Sequence, residues 1–92
     1  MNKGALGLAY AASKVVLGTD EVVKALQKKM IYLVLLATDA SENTTKKIKD
    51  KTNTYQIELI HKYTSLEISS AIGKKNIKVI AIKDKGFSMM LK

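Results

Sequence analysis

Residue type and spacing come nearest to a chemistry in the stretch Gly18-Thr19-Asp20-Glu21-Val22-Val23-Lys24. Read as a helix start, it sets Asp20, Glu21, Lys24 and Lys28 on the face opposite an apolar stripe of Val22, Val23, Leu26 and Met30. Carboxylate acceptors and ammonium donors are then offered side by side, which suits a ligand with both kinds of edge. The same residues also suit an ordinary helix start braced by ion pairs along the helix. A second cluster, Gly73-Lys74-Lys75-Asn76-Ile77-Lys78, is a lysine-rich loop that fits either a phosphate contact or a solvated turn.

Catalysis has little to work with. There is one histidine and no cysteine, and none of the 8 carboxylates is paired in an evident site. His61 stands without the partners a metal ligand needs, so it reads as a histidine at the edge of the core. Asp39 and Glu42 have the spacing of a helix capping box, which accounts for both. Gly4 and Gly7 precede the strands and lack the spacing of a dinucleotide fingerprint. The expectation is a protein that is not an enzyme and needs no cofactor or metal.

The charge balance points to the partner. Sixteen basic residues against 8 acidic ones leave +8 on 92 residues, which favours a polyanion. All the basic residues are lysine, a point charge suited to phosphate rather than the two-pronged contact arginine makes with guanine. At this length residues 1–92 form one domain, and a hydrophobic content of 47% allows a packed core without disulfides. The apolar run Ala5 to Ala12 is too short and glycine-broken for a secretory leader, and no stretch reaches the ~20 apolar residues of a membrane span. A cytoplasmic protein with no membrane partner is expected.

The elements that position these clusters follow from periodicity. Lys3 to Ser13 reads as a short helix, and Val15 to Leu17 as a strand or extended link. Thr19 reads as the N-cap of a helix closed by Lys28 and Lys29. Ile31 to Ala37 is unbroken apolar sequence, a strand covered on both faces. Asp39 and Glu42 begin a polar helix to about Asn53, with Ile48, Thr52 and Tyr55 inward and Lys46, Lys47, Lys49 and Lys51 toward water. A strand from Ile57 through Ile60 precedes a helix capped by Thr64 and Glu67, carrying Leu66, Ile68, Ala71 and Ile72, with Gly73 at its end. Ile77 to Ile82 is a further strand, and Asp84 to Lys92 a last helix packing Phe87 and Met90. This order gives an α/β sandwich, one sheet between helical layers.

Residues and order together resemble the kink-turn RNA-binding ribosomal protein family, which includes archaeal L-seven-Ae and eukaryotic L-thirty-e. The likeness is closest to its small bacterial YlxQ-type members. It is carried by Gly7-Leu8-Ala9, Lys14-Val15-Val16, Gly18 with Val22-Val23-Lys24, Leu33-Val34-Leu35-Leu36, Asp39-Ala40-Ser41 and Ile72-Gly73-Lys74. The resemblance implies a three-layer α-β-α sandwich with a small mixed sheet, and binding of a sharply bent RNA whose non-Watson–Crick guanine–adenine pairs expose guanine edges. The family motif Asn-Glu-x-x-Lys falls on Asp20-Glu21-Val22-Val23-Lys24, with Glu21 and Lys24 matching and Asp20 departing. A carboxylate accepts from guanine N–H groups and lysine donates to a guanine oxygen or phosphate. Ser69 stands where the family usually has glycine, and Lys74-Lys75-Asn76 replaces an apolar loop, favouring phosphate over base.

The resulting candidate RNA site comprises Lys14, Gly18, Thr19, Asp20, Glu21, Lys24, Lys28, Ser69, Gly73, Lys74 and Lys75. The expected partner is a kink-turn or related RNA, ribosomal or in a messenger leader, bound by a monomer, with no DNA. The alternative is a protein-interaction adaptor on the same fold. Convergence of Lys14, Lys24, Lys28, Lys74 and Lys75 beside Asp20 and Glu21 favours RNA; their scatter favours the adaptor.

Overall fold

The computed structural model describes residues 1–92. Along the chain run α1 (Lys3–Ala11), β1 (Val15–Leu17), α2 (Thr19–Gln27), β2 (Leu33–Leu36), α3 (Glu42–Thr54), β3 (Glu58–Ile60), α4 (Ser65–Ala71), β4 (Val79–Ile82) and α5 (Lys85–Leu91). The strands form one sheet in the order β1-β4-β2-β3. β4 runs antiparallel to both neighbours, with Ala81 opposite Val16 on one side and Val34 on the other, whereas β2 and β3 are parallel. The parallel pair needs a crossover, which α3 supplies.

Every residue of the two inner strands, β2 and β4, is buried. Alternation divides them. Leu33, Leu35, Ile80 and Ile82 pack with Leu6 of α1, Ile68 of α4 and Leu91 of α5. Val34, Leu36, Val79 and Ala81 pack with Val22 and Leu26 of α2 and Ile48 of α3. The result is the expected α-β-α sandwich, with α1, α4 and α5 over one face and α2 and α3 over the other. The unbroken apolar run from residue 31 to 37 follows from cover on both faces, each large side chain contributing about 1.5–3 kcal/mol by burial.

α1 to α4 all end in Schellman turns. Lys14 N–H donates to Ala9 O, Met30 to Ala25, Ile57 to Thr52 and Lys74 to Ser69, at 2.8–3.2 Å. The residue preceding each donor is left-handed, and three of these are not glycine: Ser13, Lys29 and Gln56, with φ of 58°, 58° and 54°. Only Gly73 carried the glycine signal.

Two inward placements, Met30 and Met90, are overturned, and one apolar residue of α4 faces water. Met30 lies beyond α2 and is 45% exposed, Leu66 is 78% exposed, and Met90 is exposed while Ser88 and Leu91 face the core. Met30 lies in the turn that closes α2, past the helical stripe, whereas in α4 and α5 the neighbouring Ser65 and Leu91 take the buried positions. Lys51 is half-buried rather than fully in water.

Candidate nucleic-acid interface

Gly18 makes the junction between β1 and α2. Its backbone, at φ 91° and ψ 150°, lies in a region essentially reserved for glycine, although a Cβ there would meet no atom within 4 Å. The conformation, rather than crowding, demands glycine. Gly18 N–H donates to Val79 O at 3.2 Å, and its carbonyl accepts from Val22 N–H at 3.0 Å, so the turn is pinned to β4 and to the helix.

Because the turn is completed at Gly18, Thr19 is the first residue of α2 and not its cap, and no side chain caps this helix. Its first N–H groups are left for another acceptor, at the positive end of the helix dipole. Asp20 and Glu21 stand in this first turn, both well exposed. Lys24 pairs with Glu21 at 3.5 Å, and Lys47 reaches from α3 to Asp20 at 3.4 Å. Such exposed pairs are worth only ~0.2–1 kcal/mol and exchange readily for a ligand. Lys47 was assigned to water in the sequence. Only the packing of α3 beside α2 brings it here, across 27 residues of chain, which no local pattern signals.

The second lysine cluster lies in the loop after α4. Gly73, with φ 70°, turns the chain, and Lys74, Lys75 and Asn76 then line a shallow concavity of about 420 Å³ with Ser65, Leu66, Ser69 and Ser70. Lys74 Nζ sits 5.7 Å from the centre of the Tyr10 ring. Ser69, expected at the RNA-facing surface, is only 2% exposed, and its hydroxyl accepts from Ile77 N–H at 2.8 Å. It holds the loop instead of presenting itself.

A cluster that the sequence did not foresee braces this end of the molecule. Asp39 and Glu42 form no capping box; Ser41 caps α3, its Oγ accepting from Thr44 N–H. Asp39 instead accepts from the N–H and hydroxyl of Ser65, the first residue of α4, and pairs with Lys78 at 3.0 Å. The Ser65 hydroxyl first, then its N–H and the Lys78 ammonium, hold the Asp39 carboxyl well below the usual carboxylate range. Lys78 is thereby engaged, and three chain segments are tied at one end of the sheet. The capping box expected at Thr64 and Glu67 is present in both directions.

Strand direction decides which candidates meet. β1 ends, β2 ends and β4 begins at the same end of the sheet, where Gly18 N–H bonds to Val79 and Ala37 N–H to Lys78. Gly18, Thr19, Asp20 and Glu21 therefore share an end with the segment leading into β4, and Lys24 lies one turn further along α2. Lys14 and Lys28 do not join them. Lys14 precedes β1, about 13 Å from Gly18 at the usual strand rise, and Lys28 follows α2, about 12 Å along the helix from Asp20. His61 is half-buried beyond β3, its Nε2 enclosed and without a hydrogen-bond partner, and no cluster of ligating side chains accompanies it.

The profile of the ribosomal protein L7Ae/L30e/S12e/Gadd45 family matches residues 2–92. The chain belongs to this family. Within the L7Ae/L30e group it is 42% identical over 86 residues to the RNA-binding protein YlxQ of Bacillus subtilis, covering 94% of this chain and 86% of that protein. The YlxQ protein of Enterococcus faecium is 37% identical over 87 residues, 95% and 84% of the two chains. A solved structure of a Bacillus halodurans protein of unknown function superposes with a TM-score of 0.92 at 40% identity, over 97% of this chain and 90% of that one. The 15.5kD RNA binding protein of Giardia lamblia shares the L7Ae-like fold, with a TM-score of 0.84 at 12% identity over 97% and 77% of the chains. No helix of the chain is long and apolar enough to cross a membrane.

Proposed function

We propose that the chain binds structured RNA without catalysing a reaction, prefers a sharply bent, kink-turn-like form, and acts as a cytoplasmic monomer with the ribosome or another translation-linked RNA. The carrying observation is the Gly18 junction, which leaves an uncapped helix start beside the Glu21 carboxylate. Free N–H groups and lysines suit phosphate oxygens. A carboxylate only accepts, so Glu21 suits the N–H edge of a guanine, which a regular duplex conceals and a kink with guanine–adenine pairs exposes. Both YlxQ relatives are named RNA-binding proteins, and they match this chain over nearly its whole length.

Two observations favour the adaptor reading: Lys14 and Lys28 stand apart from Asp20 and Glu21, and Leu8, Leu66, Met89 and Met90 are all exposed, on the layer of α1, α4 and α5. A gel-shift titration separates the two. The chain is expected to bind a kink-turn RNA more tightly than a straight duplex of equal length, with a log–log salt slope of roughly −3 to −5 for ~4 to 6 phosphate contacts. Equal affinity for both RNAs refutes the shape preference, and no binding to either leaves the adaptor.

A further inference from the structure

Tyr32, Lys14, Lys29 and Lys83 meet at the end of the sheet away from Gly18. Lys14 and Met30 close the Schellman turns of α1 and α2, with Lys29 the left-handed residue of the second. Lys83 N–H donates to Lys14 O at 2.8 Å and Tyr32 N–H to Ile82 O at 2.9 Å, which laces the start of β1, the end of β4 and the approach to β2 together. The side chains of Lys14, Lys29, Met30, Tyr32 and Lys83 line an open concavity of about 380 Å³. Tyr32 is 48% and Met30 45% exposed.

The charge here is uncompensated. The four ion pairs of the chain use Lys24, Lys47, Lys78 and Lys92, so Lys14, Lys29 and Lys83 have no acidic partner. The nearest acids in the chain's layout are engaged elsewhere: Glu58, opposite Leu33, pairs with Lys92 at 3.6 Å, and Asp84 caps α5 by accepting from Phe87 N–H at 2.9 Å. An aromatic ring and a thioether thus stand half-exposed among free ammonium groups.

We propose that this end of the sheet is a second RNA surface, which takes a single-stranded segment: one base stacks on Tyr32 beside Met30, and the flanking phosphates lie against Lys14, Lys29 and Lys83. A ring set among lysines suits a base with its phosphates, since every base has a face to stack and the phosphates on either side need cations. A duplex keeps its base faces covered, and an acidic peptide would use the lysines without the ring. The inference shares with the proposed function the view that the polyanion is RNA, but its residues are separate from Glu21 and the α4–β4 loop. It gives Lys14 a role at this end of the sheet.

The test is fluorescence anisotropy of a labelled ten-nucleotide oligouridine with the full chain, alone and after saturation with unlabelled kink-turn RNA. Oligouridine is expected to bind in both cases. Tyr32→Phe should keep the affinity and Tyr32→Ser lower it about five-fold or more. The double variant Lys14→Gln/Lys83→Gln should lower it too and flatten the salt dependence, while Glu21→Gln leaves it unchanged. Thermal melting checks that each variant is folded. Tyr32→Ser binding as well as the parent overturns the proposal, as does displacement of oligouridine by kink-turn RNA in step with its binding. Equal, Tyr32-independent binding of polyglutamate or of phosphatidylserine vesicles assigns the lysines to an acidic protein or a membrane and overturns it as well. Tyr32-dependent oligouridine binding by a chain that ignores kink-turn RNA would sink the proposed function and leave this inference standing.

Discussion

Asp39, just past the end of β2, holds the first residue of a helix that begins 26 residues further along the chain: its carboxylate accepts from the backbone N–H of Ser65 at 2.7 Å and from the Ser65 hydroxyl. Lys78, leading into β4, completes the cluster at 3.0 Å. Three segments around the candidate interface are thus held by one carboxylate.

Asp39 makes stability depend on acid. Its folded pKa is depressed below the ordinary value of 3.8, so its contribution is complete above that pH and is lost progressively as pH falls below it. Asp39→Asn should lower Tm by a few degrees at neutral pH and melt ever closer to the parent at strongly acid pH. Most of the effect is expected from the Ser65 bonds, because the Lys78 pair is partly exposed and screened. Identical melting of variant and parent at pH 7 would show that the cluster holds nothing.

Gly18→Ala should destabilise the fold by roughly 1–3 kcal/mol in chemical denaturation, through backbone strain alone. Asparagine, which tolerates the ordinary left-handed region, should not rescue position 18, whose ψ of 150° lies outside it. At Gly73, the left-handed residue of a Schellman turn, asparagine should be tolerated. Equal cost of Gly18→Asn and Gly73→Asn would contradict this account.

Two substitutions separate reading from attraction. Glu21→Gln should weaken kink-turn binding by ~1 to 3 kcal/mol while leaving straight-duplex binding unchanged or slightly tighter, since Gln keeps one acceptor oxygen and sets a donor against a donor. Lys75→Gln should weaken both RNAs alike. Gel-shift titration reads both, with melting curves as the folding control. A Glu21→Gln variant that binds the kink-turn as well as the parent reduces the acidic pair to helix-start residues.

Asp20→Asn should tighten kink-turn binding several-fold, about the worth of one hydrogen bond. It removes an exposed negative charge, supplies an amide donor and frees Lys47 from its 3.4 Å pairing. An affinity no better than the parent's would mean that position 20 does not face the RNA.

Local signals carried the element order. The Thr64–Glu67 capping box, the apolar run of β2 and the stripe of Val22, Val23 and Leu26 each depend on neighbours within a turn or on burial of both strand faces, and all are present in the fold. The family likeness, spread along the whole chain, was legible for the same reason. Where a local signal was ambiguous, packing decided: Ser41 rather than Asp39 caps α3, Gly18 rather than Thr19 opens α2, and non-glycine residues take the left-handed turn at three helix ends.

What the sequence by itself determined is the set of elements, the sandwich class, the all-lysine charge and the residue types at the start of α2, because backbone sterics and side-chain periodicity act over a few residues. What only the tertiary structure decided is which of these residues meet. The sheet order β1-β4-β2-β3 sets Glu21 at one end and Lys14 at the other, brings Lys47 across to Asp20, turns Ser69 inward and closes Asp39 on Ser65. Those encounters follow from burying both faces of β2 and β4, a condition on the whole chain that no short window of sequence contains.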